Sequence, residues 1–219
     1  TDWFLLAGAE AEEIALNTFF PISDEMEIEA GQSIHEDFDY TFIEDARTQK
    51  LRNMLDEMRP FISRDLDYKI FLIEDDVINA WTIPGGYIYV TTGIMDFIQS
   101  DDELANVIGH EIGHNENKHT TKIIQRNAPR NIHPDISVVV DVYSLATMAY
   151  NQPQELEADQ SGFYLSYKAG YNPRRGLDFW KRLAEFENPN FLEKLFRSHP
   201  YSAARYQCGQ DYLDQAKMD

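Results

Sequence analysis

Two histidines four residues apart, with a glutamate directly after the first, are the residues best suited to do chemistry in this chain. The segment reads His110-Glu111-Ile112-Gly113-His114. On a helix, residues four apart project from one face, so both imidazoles can meet a single ion. The glutamate between them lies close enough to take a proton from an attacking water. Such a set serves metal-assisted hydrolysis; the bland alternative is two surface histidines on an amphipathic helix. Catalytic zinc takes three protein ligands and keeps a fourth position open, so a third ligand is needed downstream.

The residues that follow, Asn115-Glu-Asn-Lys-His119, do not fit the elongated motif with a glycine and a third histidine. Glu155-Leu-Glu-Ala-Asp159 offers the other solution, a glutamate on a second helix. Glu155 and Asp159 share one helical face. Glu155 can ligate zinc while Asp159 accepts a hydrogen bond from the far nitrogen of a ligand histidine, which fixes that ring's tautomer. Glu157 points elsewhere on the helix and is the weaker ligand. Taken alone, acids near a helix start also serve as partners of the helix dipole.

Helices must position these groups. Ser100-Asp-Asp-Glu103 reads as a capping box, with Glu103 reaching back to Ser100. Leu104, Val107, Ile108 and Ile112 form one apolar stripe, so a helix is expected from about Asp101 through His119. Another is expected from near Pro153 to Gly170, a further one from the Asn172-Pro173 cap to about Glu187, and a last one after Pro200. Before the motif, residues 1–60 read as mostly helical, with a break near Pro21 and an acidic stretch from Ser23 to Asp45. Leu51, Met54, Leu55 and Met58 make a core-facing stripe there. Tyr68–Ile73 and Tyr87–Thr92 are strand candidates flanking a tight turn at Pro84-Gly-Gly86, which suggests an antiparallel pair. The expected fold is α+β, a mostly helical single domain over residues 1–219 with a small sheet.

Composition narrows the partners. The chain has 219 residues, 43% hydrophobic and 13% aromatic, with a formal charge of -19. That acidity argues against nucleic acid or an anionic membrane surface as the main partner, because phosphates would be repelled. No apolar run reaches the roughly 18 to 20 residues needed to span a bilayer. Cys208 is the only cysteine, so no intrachain disulfide forms; it is expected to be a buried small apolar residue. His35, His119 and His133 are expected to be structural or surface residues.

Four segments together carry a resemblance to metallopeptidase family forty-eight, the gluzincins that include prenyl-protein endopeptidases and HtpX-type quality-control proteases. They are Asn79-Ala80-Trp81 with Pro84-Gly-Gly86, the His110–His114 helix, Glu155–Asp159, and His199-Pro200 with Arg205. The resemblance covers roughly Glu25 to Arg205. It implies one zinc per chain held by His110, His114 and Glu155, with Glu111 as general base and acid. It also implies that Asn79, Ala80 and Trp81 lie beside the cleft, where substrate pairs with a sheet edge. Without spanning helices, the chain resembles the soluble, exported branch, which favours an extracytoplasmic setting and argues against prenylated substrates.

The expected reaction is hydrolysis of an internal peptide bond in protein or peptide substrates. The extended peptide is expected to add antiparallel to a sheet edge near Tyr87–Thr92. His199 has three readings: a hydrogen bond to the oxyanion, often worth ~3 kcal/mol, a latency ligand in the open zinc position as in some relatives, or a cap before Pro200. Arg205 either stabilises negative charge or pairs with an acidic neighbour. The stretch from Asn115 to Gln152 is expected to pack near the cleft as a lid. A latent or non-catalytic zinc-binding, chaperone-like module is the competing function.

Overall fold

A computed structural model describes residues 18, 21–127, 150–185 and 202–218. The expectations placed on His133, on His199 and on the lid beyond residue 127 lie outside the described residues. The described chain is α+β: helices surround a four-stranded sheet.

Local signals start each helix. Helix α1, Asp24–Glu36, is capped by Ser23, whose side chain accepts from the Met26 amide, and has Asp24, Glu25 and Glu27 in its first turn. Helix α2, Ala46–Met58, starts at Asp45, which forms a reciprocal capping box with Thr48. Its Leu51, Met54, Leu55 and Met58 are buried as the spacing predicts. Between them lies a two-residue strand β1, Phe42–Ile43, too short to leave a period in the sequence.

The sheet corrects one expectation. Strands β2 (Lys69–Ile73), β3 (Ala80–Ile83) and β4 (Tyr87–Thr91) join β1 in the order β1-β2-β4-β3. β2 and β4 are parallel, not antiparallel. The segment between them, read as turn alone, contains β3, which pairs antiparallel with β4 in the register Trp81 opposite Tyr89. The chain therefore reverses twice between β2 and β4. The second reversal is the turn Pro84–Gly86, where Gly85 and Gly86 take φ of 81° and 86°, a region that L side chains rarely adopt. β4 is bonded on both sides, so it presents no free edge. The edge is β3.

The core helix is α4. After a short helix α3 (Thr92–Phe97), α4 runs from Asp101 to Glu116 and is buried continuously from Glu103 to Asn115. Ser100 caps it, accepting from the Glu103 amide at 3.2 Å. Glu103 does not close the box on Ser100; it reaches the Gln99 amide (2.8 Å) and pairs with Arg182. The helix stops earlier than expected because Lys118 takes a left-handed φ of 56°, and helix α5, His119–Asn127, restarts in a new direction.

Helix α6, Gln152–Lys168, is started by Asn151, which forms a capping box with Gln154. It lies across α4. Asn172 caps a one-turn helix α7, Pro173–Gly176, and the chain continues as α8, Asp178–Glu185, with a break at Leu177 where one unbroken helix was expected. Helix α9 spans Ser202–Ala216. Cys208 is exposed on it, contrary to expectation. The inward stripe of α9 is Arg205, Gly209 and Leu213, four residues apart, which turns position 208 outward.

Helices α4 and α6 meet backbone to backbone. A Cβ added to Gly109 would lie 2.8 Å from the Gly162 carbonyl oxygen, and one added to Gly162 would lie 2.8 Å from the His110 amide nitrogen. Neither neighbour is a flexible side-chain tip that could move aside. Gly162→Ala is therefore expected to destabilise the protein by ~1–3 kcal/mol through overpacking, read as a lower urea midpoint. An unchanged midpoint would show that the two helices have room to spare.

Candidate active site

The crossing of α4 and α6 places five chemically active side chains in one buried cluster: His110, Glu111, His114, Glu155 and Asp159. His110 Nε2 and His114 Nε2 are 3.0 Å apart. Glu155 brings its carboxylate to 3.8 Å from the first and 3.5 Å from the second. Donor atoms around a tetrahedral ion with bonds of about 2.0–2.1 Å stand about 3.3 Å from one another. The 3.8 Å distance is to Glu155 Oε2 and the 3.5 Å distance to Oε1, so both oxygens stand slightly beyond that spacing; one ligand atom from each residue lies within 4.8 Å of the others, the one such group among the described residues.

The back of His110 is fixed by charge. Its Nδ1 lies 2.9 Å from Asp159 Oδ1, so the ring donates there and turns Nε2 toward the other ligands. Arg205 is 1% exposed and clasps the same aspartate, with Nε 2.8 Å from Oδ2 and Nη2 2.5 Å from Oδ1. Its Nη1 is 2.6 Å from Glu155 Oε2. The guanidinium also lies over Trp180, 3.6 Å from the ring centroid. Of the two sequence readings of Arg205, pairing with acidic neighbours is the one seen.

Burial works to raise the Asp159 pKa, but Arg205 and the His110 hydrogen bond outweigh it and hold the carboxyl down at about 2. Arg205 is likewise held charged, because Asp159 and Glu155 offset the cost of its burial.

His114 is held differently. Its Nδ1 is 3.0 Å from Nδ1 of His119, whose Nε2 is 2.9 Å from Glu157 Oε2. Tyr150 stacks on the His114 ring at 3.7 Å and 17°. His119 is buried, which lowers its pKa despite the Glu157 bond. Glu157, the weaker ligand candidate in the sequence, pairs with His119 instead. The contribution of His119, Glu157 and Tyr150 was missed from sequence; His119 was read only as structural or surface.

Strand β3 runs beside these groups. Ala80 lines a small apolar recess together with His110, Glu111, Val107, Phe179 and Trp180. Asn115, the residue after His114, ties the strand to the helix: its Nδ2 donates to Thr82 Oγ1 at 2.5 Å and its Oδ1 accepts from the Gly86 amide at 3.3 Å. The main chain of Asn79 is bonded to Thr91. The Asn79 Oδ1 and Trp81 Nε1 atoms are buried with no hydrogen-bond partner among the described residues.

The sequence pattern of peptidase family M48 matches residues 45–133 and 123–208. The chain belongs to peptidase family M48. Among its curated relatives, the metalloprotease LoiP of Escherichia coli (strain K12) is 31% identical over 68% of this chain and 63% of its own length. The mitochondrial metalloendopeptidase OMA1 of Schizosaccharomyces pombe is 23% identical over 98% of this chain and 72% of its own. The Arabidopsis thaliana protein of the same name is 28% identical over 64% of this chain and 30% of its own. The chain thus covers less than two thirds of the length of the plant and E. coli relatives. The family match spans both halves of the site, since it contains the His110–His114 helix, Glu155–Asp159 and Arg205. No helix among the described residues of this M48 chain is long and apolar enough to cross a membrane.

Removing Arg205 would strand two buried carboxylates. Arg205→Met is expected to cost ~3–5 kcal/mol, measured by urea unfolding, with Arg205→Lys recovering only part because it lacks the planar fork. A loss below about 1 kcal/mol, the size typical of a surface pair, would show that the cluster does not depend on this charge.

Proposed function

We propose that this M48 chain is a zinc-dependent endopeptidase that cuts internal bonds of protein substrates in protein quality control or processing. The observation that carries the reading is the buried set of two imidazole nitrogens and a carboxylate, one ligand atom from each within 4.8 Å of the others, with Glu111 beside them. Two histidines and a glutamate form a recognised catalytic zinc donor set, one that leaves a fourth position open. His110, His114 and Glu155 hold the ion, one per chain.

Bound there, zinc supplies Lewis-acid polarisation of the water and of the scissile carbonyl. Glu111 takes the proton of the attacking water and passes it to the leaving amine. Asp159 keeps His110 in the tautomer that presents Nε2, and Arg205 keeps Asp159 ionised. The apolar walls around Glu111, from Ala80, Val107, Phe179 and Trp180, limit water at the reacting centre.

An extended peptide docks along β3, which replaces the Tyr87–Thr92 edge expected from sequence. There the peptide's main chain gives affinity with loose side-chain selection. Asn79 and Trp81 are the side chains placed to add contacts, since each holds a buried polar atom that a peptide could satisfy. All four residues of β3 are buried in this arrangement, so a peptide reaches the strand only when the cleft opens. The residues act as one catalytic domain, and the setting proposed for it is extracytoplasmic.

Glu111→Gln is expected to bind one zinc per chain while hydrolysis of casein falls about 10²–10⁴-fold. Chelation should abolish wild-type activity. Full activity in a zinc-loaded Glu111→Gln protein would remove Glu111 from the mechanism. Tightly bound zinc with no cleavage by wild type under any condition would favour a latent or chaperone-like module.

A further inference from the structure

The two metal-facing histidines are braced from behind in unlike ways. Behind His110 stands a carboxylate, Asp159, at 2.9 Å. Behind His114 stands a second imidazole, and only beyond that a carboxylate: His114 Nδ1 to His119 Nδ1 is 3.0 Å, and His119 Nε2 to Glu157 Oε2 is 2.9 Å. We propose that His119 and Glu157 are positioning residues for His114, a two-step relay in which Glu157 selects the tautomer of a zinc ligand one ring away. The proposal rests on the zinc reading above, because it concerns the grip on that ion.

Proton accounting sets the direction of the relay. Two ring nitrogens 3.0 Å apart share one proton between a donor and an acceptor. A His114 that presents the lone pair of Nε2 to the ion carries its proton on Nδ1, so it donates to His119 Nδ1. His119 must then carry its own proton on Nε2, and Glu157 is there to accept it. Each bond requires the next. The carboxylate thereby acts on His114 without touching it, the part that Asp159 plays directly for His110.

The fold is arranged to make the contact. The left-handed turn at Lys118 ends α4 and starts α5 at His119, which returns the imidazole beneath the last turn of α4. Glu157 comes from α6, two residues after Glu155, on the flank of the helix that faces His119. Tyr150 closes the remaining freedom by stacking on the His114 ring. The two braces also end differently: Asp159 is buried against Arg205, whereas the Glu157 side chain is 56% exposed. The His114 arm therefore reaches the surface.

The test compares the full chain with His119→Leu, His119→Gln, Glu157→Leu and Glu157→Gln. Zinc affinity is read by competition with a fluorescent chelator, and ring tautomers of the zinc-loaded proteins by long-range nitrogen–proton NMR. Losing an outer-shell partner of this kind costs about 10–100-fold in metal affinity, the loss expected for His119→Leu and Glu157→Leu. His119→Gln keeps an acceptor for His114, and Glu157→Gln keeps one for His119, so both should recover most of the affinity. Wild-type His119 should show its proton on Nε2.

Zinc affinity within about twofold of wild type in both leucine variants, or an Nδ1-protonated His119, would overturn the relay. If His119→Leu fails to fold, the Glu157 pair decides alone, since that side chain is half in solvent. Wild type that binds no zinc would overturn the metal reading and the relay with it. Wild type that binds zinc, with variants unchanged, overturns the relay only.

Discussion

The close crossing of α4 and α6 is the constraint on which the site depends. Gly109 and Gly113 on one helix face Ala158 and Gly162 on the other, leaving the backbones in contact. His110, His114 and Asp159, each one position after a crossing residue, and Glu155, one turn before Asp159, are then forced into the same small volume. Larger residues at the crossing would move the two halves of the donor set apart by the width of a methyl group. That displacement is large beside the 3.0–3.8 Å separations of the donors.

Bringing these groups together has an electrostatic cost that the surrounding structure offsets. Buried carboxylates are stable only when paired, and Arg205 on α9 supplies the pairing from the other side of the cluster. A second buried network holds β3. Glu27 of α1 accepts from Arg64 and from Thr121, and Arg64 donates to the Asn115 main-chain oxygen. Asn115 in turn holds Thr82 and Gly86. The position of β3 beside Glu111 is therefore set by polar contacts from α1 and α5 as well as by its pairing with β4. Helix α1, remote in sequence from the motif, and α5, which follows it directly, thus help fix β3 against the His110–His114 helix.

Much of the site was legible because its signals are local. Two histidines at i and i+4 and two carboxylates at i and i+4 each define a helical face, and Ser100 and Pro153 mark where those helices start. The assignments that needed distant partners were not legible. The four residues of β3, Ala80–Ile83, are buried on both faces and show no alternation, so the strand hid within a Pro-Gly turn and the sheet was read as one antiparallel pair. The role of His119 depends on a left-handed residue at 118 and on a carboxylate 38 positions later. The outward face of Cys208 could have been read from the spacing of Arg205, Gly209 and Leu213, had Arg205 been known to point inward.

The central claim is that His110, His114 and Glu155 hold one zinc ion. Crystals of the zinc-loaded protein, with data collected on both sides of the zinc absorption edge, test it most directly. The account predicts one anomalous peak per chain within about 2.0–2.2 Å of His110 Nε2, His114 Nε2 and a Glu155 oxygen. A peak bound elsewhere, or no peak in protein given stoichiometric zinc, would contradict it.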